Sequence, residues 1–239
     1  YQQFFLVEEY SSRQRRCYHH VMTYSFMMCG VDEAGRGPVM GPLVVCAVFV
    51  EGDAALKDLG VKDSKKLTPK AREKLYDRII ETIDDYHLEI ASAAEIDEMM
   101  ATKSLNTIEL EMFARSVSKR PVSSIYADCP DVNESRFSSQ LSSLTGGEYV
   151  IGKHKADDTY PVVSAASILA KVTRDRMIDD IADRFGMDIG SGYPSDRKTM
   201  GFIENWIRKN GSSPPDVRNS WEPVKKLLMV SKNTRITDW

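Results

Sequence analysis

An unbroken apolar run, Pro42-Leu43-Val44-Val45-Cys46-Ala47-Val48-Phe49-Val50, constrains what this chain can fold into more than any other stretch. A strand with one wet face alternates apolar and polar residues, so a run with no polar face must be covered on both sides. That predicts an interior strand of a sheet flanked by helices. Directly before it stands Gly30-Val31-Asp32-Glu33-Ala34-Gly35-Arg36-Gly37-Pro38, two adjacent carboxylates followed by an Arg between two glycines. Acids at the end of a buried strand are costly unless something binds them. A hard divalent cation, which takes oxygen ligands, is the natural binder. Successive strand residues face opposite sides. The strand is therefore expected to stop or bulge at Asp32 and Glu33 so that both reach one site, with Gly35 and Gly37 supplying the backbone freedom.

Beyond the run, helices and strands alternate. Thr68 is a good N-cap and Pro69 a good first helical residue, which predicts a helix from about Pro69 to Ile83. The window 62–78 ahead of and within it carries seven basic and three acidic residues. Such a surplus commonly marks a solvated face, but here Ser64, Lys65 and the helix start can also meet a phosphate. Strands are expected over Tyr86–Ala93, Ser124–Asp128 and Tyr149–Gly152. Helices are expected over Ala94–Ser118, broken near Lys103-Ser104, over Phe137–Leu144 and over Pro161–Phe185. The first half of that last helix is small and apolar and the second half highly charged. A helix from about Lys198 to Lys209 stops at Asn210-Gly211, and Glu222–Val230 closes the fold ahead of a tail, 231–239. Together these predict a mixed α/β sheet with helices on both faces and a helical C-terminal part.

At 239 residues this is one large domain, or one domain with an appendage. No apolar run approaches the roughly 20 residues that span a bilayer, so a membrane protein is not expected. The net charge of −3 excludes a uniformly basic nucleic-acid binder, and any phosphate-binding surface must be local. Four cysteines without Cys-x-x-Cys spacing suit a reducing cytoplasm. Cys17, His19 and His20 lack a second ligand pair, so no metal site is expected there. Residues 1–28 read as an extension outside the folded part, or as sequence upstream of an internal start at Met27 or Met28.

Asp32, Glu33, Asp128 and Asp157 share a context, each at or just after a predicted strand, where open α/β sheets place their sites. Brought together, four carboxylates repel and raise each other's pKa. They become tenable as a cage for one or two Mg²⁺ or Mn²⁺ ions. Two such ions about 3.5–4 Å apart serve in-line displacement at phosphorus. From spacing alone, Asp128 and Asp157 can equally be ordinary strand-terminal acids, and Asp158 stands beside Asp157 as an alternative.

The motif Gly30–Pro38 resembles the signature of the ribonuclease HII (type 2 ribonuclease H) family. So do Asp63-Ser64-Lys65-Lys66-Leu67, His154-Lys155-Ala156-Asp157 and Ser164-Ala165-Ala166-Ser167-Ile168-Leu169-Ala170-Lys171. Gly192-Tyr193-Pro194-Ser195-Asp196 and Trp221 with Val224-Lys225-Lys226 resemble its archaeal branch. The likeness spans about 29–230 and implies a ribonuclease H-like mixed five-stranded sheet flanked by helices, with a catalytic domain over 29–195 and a small helical part over 196–230. It implies hydrolysis of the RNA strand of RNA–DNA hybrids, and incision 5′ of ribonucleotides embedded in duplex DNA to leave 3′-hydroxyl and 5′-phosphate ends. The resemblance puts the metal-binding acids on Asp32, Glu33, Asp128 and Asp157, with Mg²⁺ or Mn²⁺ in a two-ion site. It puts sensing of the 2′-hydroxyl on Gly35, Arg36 and Gly37, and stacking at the RNA–DNA junction on Tyr193. Ser64, Lys65, Ser167 and Lys171 become candidates for phosphate contacts, which position rather than specify. His154 is expected to be structural or a phosphate neighbour rather than a base. Asn233, Ile236 and Trp239 have the spacing of a peptide that binds a sliding clamp, with Asn where that peptide has Gln. A monomer is expected.

Three other functions compete. A junction-resolving nuclease or recombinase of the same superfamily uses similar acids but has no need of Gly35–Gly37 and Tyr193. A non-catalytic hybrid-binding module has no need of four acids. A hydrolase built on Ser64 and Lys65 would need no metal.

Overall fold

The computed structural model of the chain describes residues 27–61, 68–146 and 149–236, with only the backbone of 232–236. The extension expected over 1–28 thus lies outside the described residues up to position 26, as do Ser64, Lys65 and 237–239. In chain order the elements are β1 (Met28–Ala34), β2 (Leu43–Val50), α1 (Ala54–Asp58), α2 (Pro69–Thr82), β3 (Asp85–Ala91), α3 (Ala93–Met100) and α4 (Leu105–Val117). There follow β4 (Ser124–Asp128), α5 (Glu134–Thr145), β5 (Tyr149–Lys153), α6 (Ala156–Thr159), α7 (Pro161–Phe185), α8 (Arg197–Asn210) and α9 (Glu222–Ile236).

The five strands form one sheet in the order β3-β2-β1-β4-β5. β1, β2 and β3 make an antiparallel meander, while β4 and β5 extend the other side of β1 in parallel. The sheet is therefore mixed. Every residue of β2 is buried, as its composition requires. Leu43, Val45, Ala47 and Phe49 face α3, α4 and α5, whereas Val44, Cys46 and Val48 face α2 and α7. Local chemistry sets the helix ends. The Thr68 hydroxyl accepts from the Ala71 amide ahead of Pro69, Ser92 and Glu95 form a capping box, and Ser104 caps α4 after the expected break.

Two expectations are corrected. β1 neither stops nor bulges at the acid pair, since Asp32 pairs with Cys46, Glu33 with Val45 and Ala34 with Val44 in regular register. What ends there is the other neighbour, because β4 pairs with β1 only as far as Val31 with Ala127. The second correction concerns the last helix, which continues past Val230 to Ile236. No Gly or Pro between 231 and 236 interrupts it.

A third apolar cluster joins the C-terminal helices to the loop after β1. It holds Val39 and Met40 together with Ile178, Phe202, Ile203, Ile207, Val217 and Val224. Backbone hydrogen bonds reinforce it, from Val39 N to Gly192 O at 2.9 Å, Gly41 N to Asp216 O at 2.8 Å and Arg218 N to Val39 O at 2.8 Å.

The tightest approach between layers is α7 on β1. A Cβ at Gly30 would lie 2.3 Å from the carbonyl carbon of Val162 and 2.4 Å from its oxygen, both backbone atoms that cannot turn aside. Gly30→Ala is expected to destabilise the fold by about 2–3 kcal/mol, the upper part of the usual overpacking range. Gly52, with no atom within 4 Å of its Cβ position, should accept Ala within about 0.5 kcal/mol. Denaturant unfolding of both variants checks this, and equal losses would contradict the packing described.

Candidate active site

Asp32 lies one position past the last β1–β4 pair and is 4% exposed. Its Oδ1 accepts from the Glu33 amide at 2.7 Å, and its carboxyl group also bonds Ser167 of α7. Regular alternation turns Glu33 to the other face of β1, where the Arg36 guanidinium offsets part of its charge. Glu33 Oε2 is buried with no hydrogen-bond partner among the described residues. Asp128 closes β4, and its Oδ1 accepts from the Ala156 amide at 2.7 Å. That bond depends on Lys155, whose left-handed backbone (φ 56°) turns the chain sharply from β5 into α6. Asp157 follows at once and is buried, while Asp158 is exposed. The Ser164 hydroxyl donates to the Asp157 carbonyl and ties α6 to α7.

Burial first, then the charges of Glu33 and Asp128, push the Asp32 carboxyl well above the usual carboxylate range. Burial and then Asp128 raise Glu33 to about 7, against the opposing pull of Arg36. These three groups are thus close enough to disfavour one another's ionisation, and Asp157 is the residue after Asp128's hydrogen-bond partner. Among the described residues, no three His, Cys, Asp or Glu side chains already stand at ligand spacing. The donor set nevertheless fits a hard divalent cation, because all its members are carboxylates, two are held above their ordinary pKa by burial and charge, and one has a buried oxygen without a donor.

A cleft of about 400 Å³ opens at Glu33, the one member of the four acids that lines it. Glu33, the turn Gly35-Arg36-Gly37, Arg72, Ser167, Lys171 and Tyr193 line it. Of the residues singled out from sequence, Glu33, Gly35, Arg36, Gly37, Ser167, Lys171 and Tyr193 thus share one space. Gly35 adopts φ +95°, and a Cβ there would meet Pro42 O at 2.5 Å. Gly37 is exposed, and its Cβ position faces the Tyr193 ring at 3.9 Å. The Arg36 side chain is not free for a ligand, since it ion-pairs with Glu109, fully buried in α4, and donates to Asn106 Oδ1 at 2.7 Å. The backbone of the turn is what faces the cleft. Lys171 is ion-paired with Asp175 one turn along α7. His154 contacts the Asp131 carbonyl through Nε2 at 2.7 Å and its amide donates to Glu134, a structural arrangement.

Sequence reasoning missed Arg72, Glu109, Asn106 and two buried arginines, Arg174 and Arg218. Helical spacing held a signal for two of them. Glu109 falls four residues from both Leu105 and Phe113, and Arg174 four from both Ala170 and Ile178, so each lies on an apolar stripe.

The family model for ribonuclease HII matches residues 29–224. Ribonuclease HII of Thermococcus kodakarensis is 48% identical over 205 residues, 84% of this chain and 89% of that protein. Among solved structures, ribonuclease H2 from Pyrococcus horikoshii superposes with a TM-score of 0.81 at 43% identity, covering 86% of this chain and 99% of the other. The ribonuclease HII of Archaeoglobus fulgidus, solved as a complex with PCNA, gives a TM-score of 0.78 at 42% identity over 84% and 96%.

Raised carboxylate pKa values have a definite sign in stability. Near pH 4 the folded chain holds these protons at no penalty. As the pH climbs to about 7 the unfolded chain releases them while the folded chain retains them, so stability falls. With divalent ions chelated, Asp32→Asn, which keeps the acceptor for the Glu33 amide, should melt about 3–6 °C above the unsubstituted protein at pH 8, or roughly 1.5 kcal/mol. At pH 4 the two should melt together. A difference independent of pH would refute the mutual raising of these acids.

Proposed function

The chain belongs to the ribonuclease HII family and is a ribonuclease H, and on that premise we propose that it incises duplex DNA on the 5′ side of embedded ribonucleotides, leaving 3′-hydroxyl and 5′-phosphate ends. The observation that carries this is the cleft in which Glu33, one member of the acid cluster, meets the Gly35–Gly37 turn and Tyr193. An enzyme that cuts beside one ribonucleotide must read a 2′-hydroxyl within reach of the scissile phosphate. A turn whose backbone lies open beside Glu33 supports that pairing of functions.

Asp32, Glu33, Asp128 and Asp157 would hold Mg²⁺ or Mn²⁺, which when bound activates water and neutralises charge developing at phosphorus. The chain's own contribution is to orient. The Ser167 hydroxyl and the Glu33 amide fix the Asp32 carboxylate, and the Ala156 amide fixes Asp128. Backbone groups of Gly35 and Gly37 and the Arg36 amide bond the sugar hydroxyl, with no side chain at the two glycines and the Arg36 side chain held away by Glu109 and Asn106. The Tyr193 ring stacks on the sugar that follows. Lys171 and Arg72, with Ser64 and Lys65, hold phosphates along the strand, and Lys171 exchanges its Asp175 partner for one of them. The substrate classes are RNA–DNA hybrids and ribonucleotide-containing duplex DNA, and the acting species is a monomer in a reducing cytoplasm.

A second partner is proposed through the C-terminal segment. Asn233, Ile236 and Trp239 have the spacing of a clamp-binding peptide, and the Archaeoglobus fulgidus relative in complex with PCNA supports a sliding clamp as the partner. Among the described residues no helix is long and apolar enough to cross a membrane.

Strand-specific mapping on a duplex with one ribonucleotide tests the reaction. A single metal-dependent cut on its 5′ side is expected, with none in the matching all-DNA duplex and none with chelator. Asp32→Asn should reduce the rate by at least about 10³-fold, the scale on which a reaction loses one essential electrostatic group. Cutting that survives chelator would refute the metal-dependent reading. Removing residues 231–239 should abolish binding to the sliding clamp in calorimetry while leaving incision of free duplex unchanged. Clamp affinity that persists would remove the segment from consideration.

A further inference from the structure

Two arginines without a direct ion pair among the described residues lie under the turn after β1, with Asp175 acting on Arg174 and Asp97 on Arg218 through charge alone. Arg174 of α7 is 1% exposed and Arg218, ahead of α9, is 0% exposed. Among the described residues neither is ion-paired, and Arg174 Nε and Arg218 Nη2 have no hydrogen-bond partner. They are close enough that the charge of Arg174 lowers the pKa of Arg218, after burial, to about 9. An unpaired buried guanidinium is expensive, and two neighbouring ones more so. Something must hold them there.

What they bind is the backbone of one loop. Arg218 donates from Nε to Gly41 O at 3.0 Å and from Nη1 to Arg36 O at 3.2 Å. Arg174 donates from Nη2 to Met40 O at 3.1 Å. Three carbonyls of residues 36–41 are thus drawn inward. Arg174 also fills the room that side chains would need at two glycines, since a Cβ on Gly35 would stand 2.6 Å from its Nε and one on Gly192 3.1 Å from its Nη2. The Tyr193 ring, next in the chain, has the Arg174 guanidinium 5.4 Å from its centroid. Arg218 is seated in turn against the Trp221 ring at 4.8 Å. One buried pair therefore contacts both features proposed to read the sugar, the 35–37 turn and Tyr193.

We infer that Arg174 and Arg218 are positioning residues for ribonucleotide recognition: by holding the carbonyls of 36–41 inward and Tyr193 in place, they leave the turn's backbone presented to the 2′-hydroxyl. Planar forks suit this task, because Arg218 reaches two carbonyls at once where a lysine reaches one. Neither residue touches substrate. The inference rests on the sugar-reading role proposed above for the turn, and it assigns to the C-terminal segment around Arg218 a part in selectivity.

Steady-state incision of a one-ribonucleotide duplex, with the matching all-DNA duplex as competitor, tests it. The unsubstituted protein should show a KM well below the Ki of the competitor. In Arg218→Lys and in Arg174→Lys, KM should rise at least fivefold towards that Ki, while the Ki itself stays within twofold. Arg176→Lys, on the exposed side of the same helix and paired with Glu73, should change neither. If both lysine variants keep the full gap between KM and Ki, even with a lower kcat, the inference is overturned. It is equally overturned if both lose cooperative melting, because the pair is then a requirement of folding and not of recognition. Failure of the unsubstituted protein to incise, or a KM equal to Ki, overturns instead the reading on which the inference rests.

Discussion

Repulsion among Asp32, Glu33 and Asp128 is confined to the place where β1 and β4 part. Up to Val31 and Ala127 the two strands pair in parallel and bury ordinary apolar residues. One residue later the parallel ladder ends, and the space it leaves receives carboxylates from both strands. Burial raises the pKa of Asp32 and Glu33 before any neighbour acts on them. Such a cluster works against folding, so the rest of the molecule must hold it by other contacts. The Ala156 amide on Asp128, Ser167 on Asp32 and the Glu33 amide on Asp32 are those contacts, the first two from α6 and α7 and the third from β1 itself.

Helix α7 provides most of that anchoring. Its first half lies so close on β1 that only a glycine fits at position 30. Ser164 and Ser167 project from that half toward Asp157 and Asp32. Lys171, near the end of that half, reaches the cleft, and the second half carries Arg174 under the glycine turn and Ile178 into the third apolar cluster. The change from apolar to charged composition along this helix therefore marks a change of neighbours, from sheet to loop, and not a simple exit into solvent.

Much of this was legible in the sequence because it obeys short-range rules. An apolar run without alternation became the wholly buried β2, and Thr68-Pro69 and Ser104 started helices. The acid pair, the glycines around Arg36 and Tyr193 stood out as motifs. Other features depend on contacts between residues far apart in the chain. The sequence predicts a strand end or a bulge at Asp32 and Glu33, because two neighbours on a strand cannot share a face. The fold instead ends the adjacent ladder and lets both faces meet at an open strand end. Arg36 looked like a group for substrate, yet its guanidinium belongs to Glu109, 73 positions away. The role of Arg218 was hidden in a loop whose partners lie some 180 residues earlier.

Buried arginines without carboxylates are usually a net cost, which apolar residues of similar volume can relieve. Here the same volume could not be made apolar without a second loss, because Arg36, Met40 and Gly41 would each lose a donor to a carbonyl. Glycines at 35 and 192 keep side chains out of this crowded core, and Gly35 also leaves bare backbone at the cleft. One set of residues therefore answers two demands, filling the interior with donors and keeping the surface free of side chains. That coupling explains why the C-terminal part is stitched to the loop after β1 by both the apolar packing of its helices and the backbone hydrogen bonds of the loops around them.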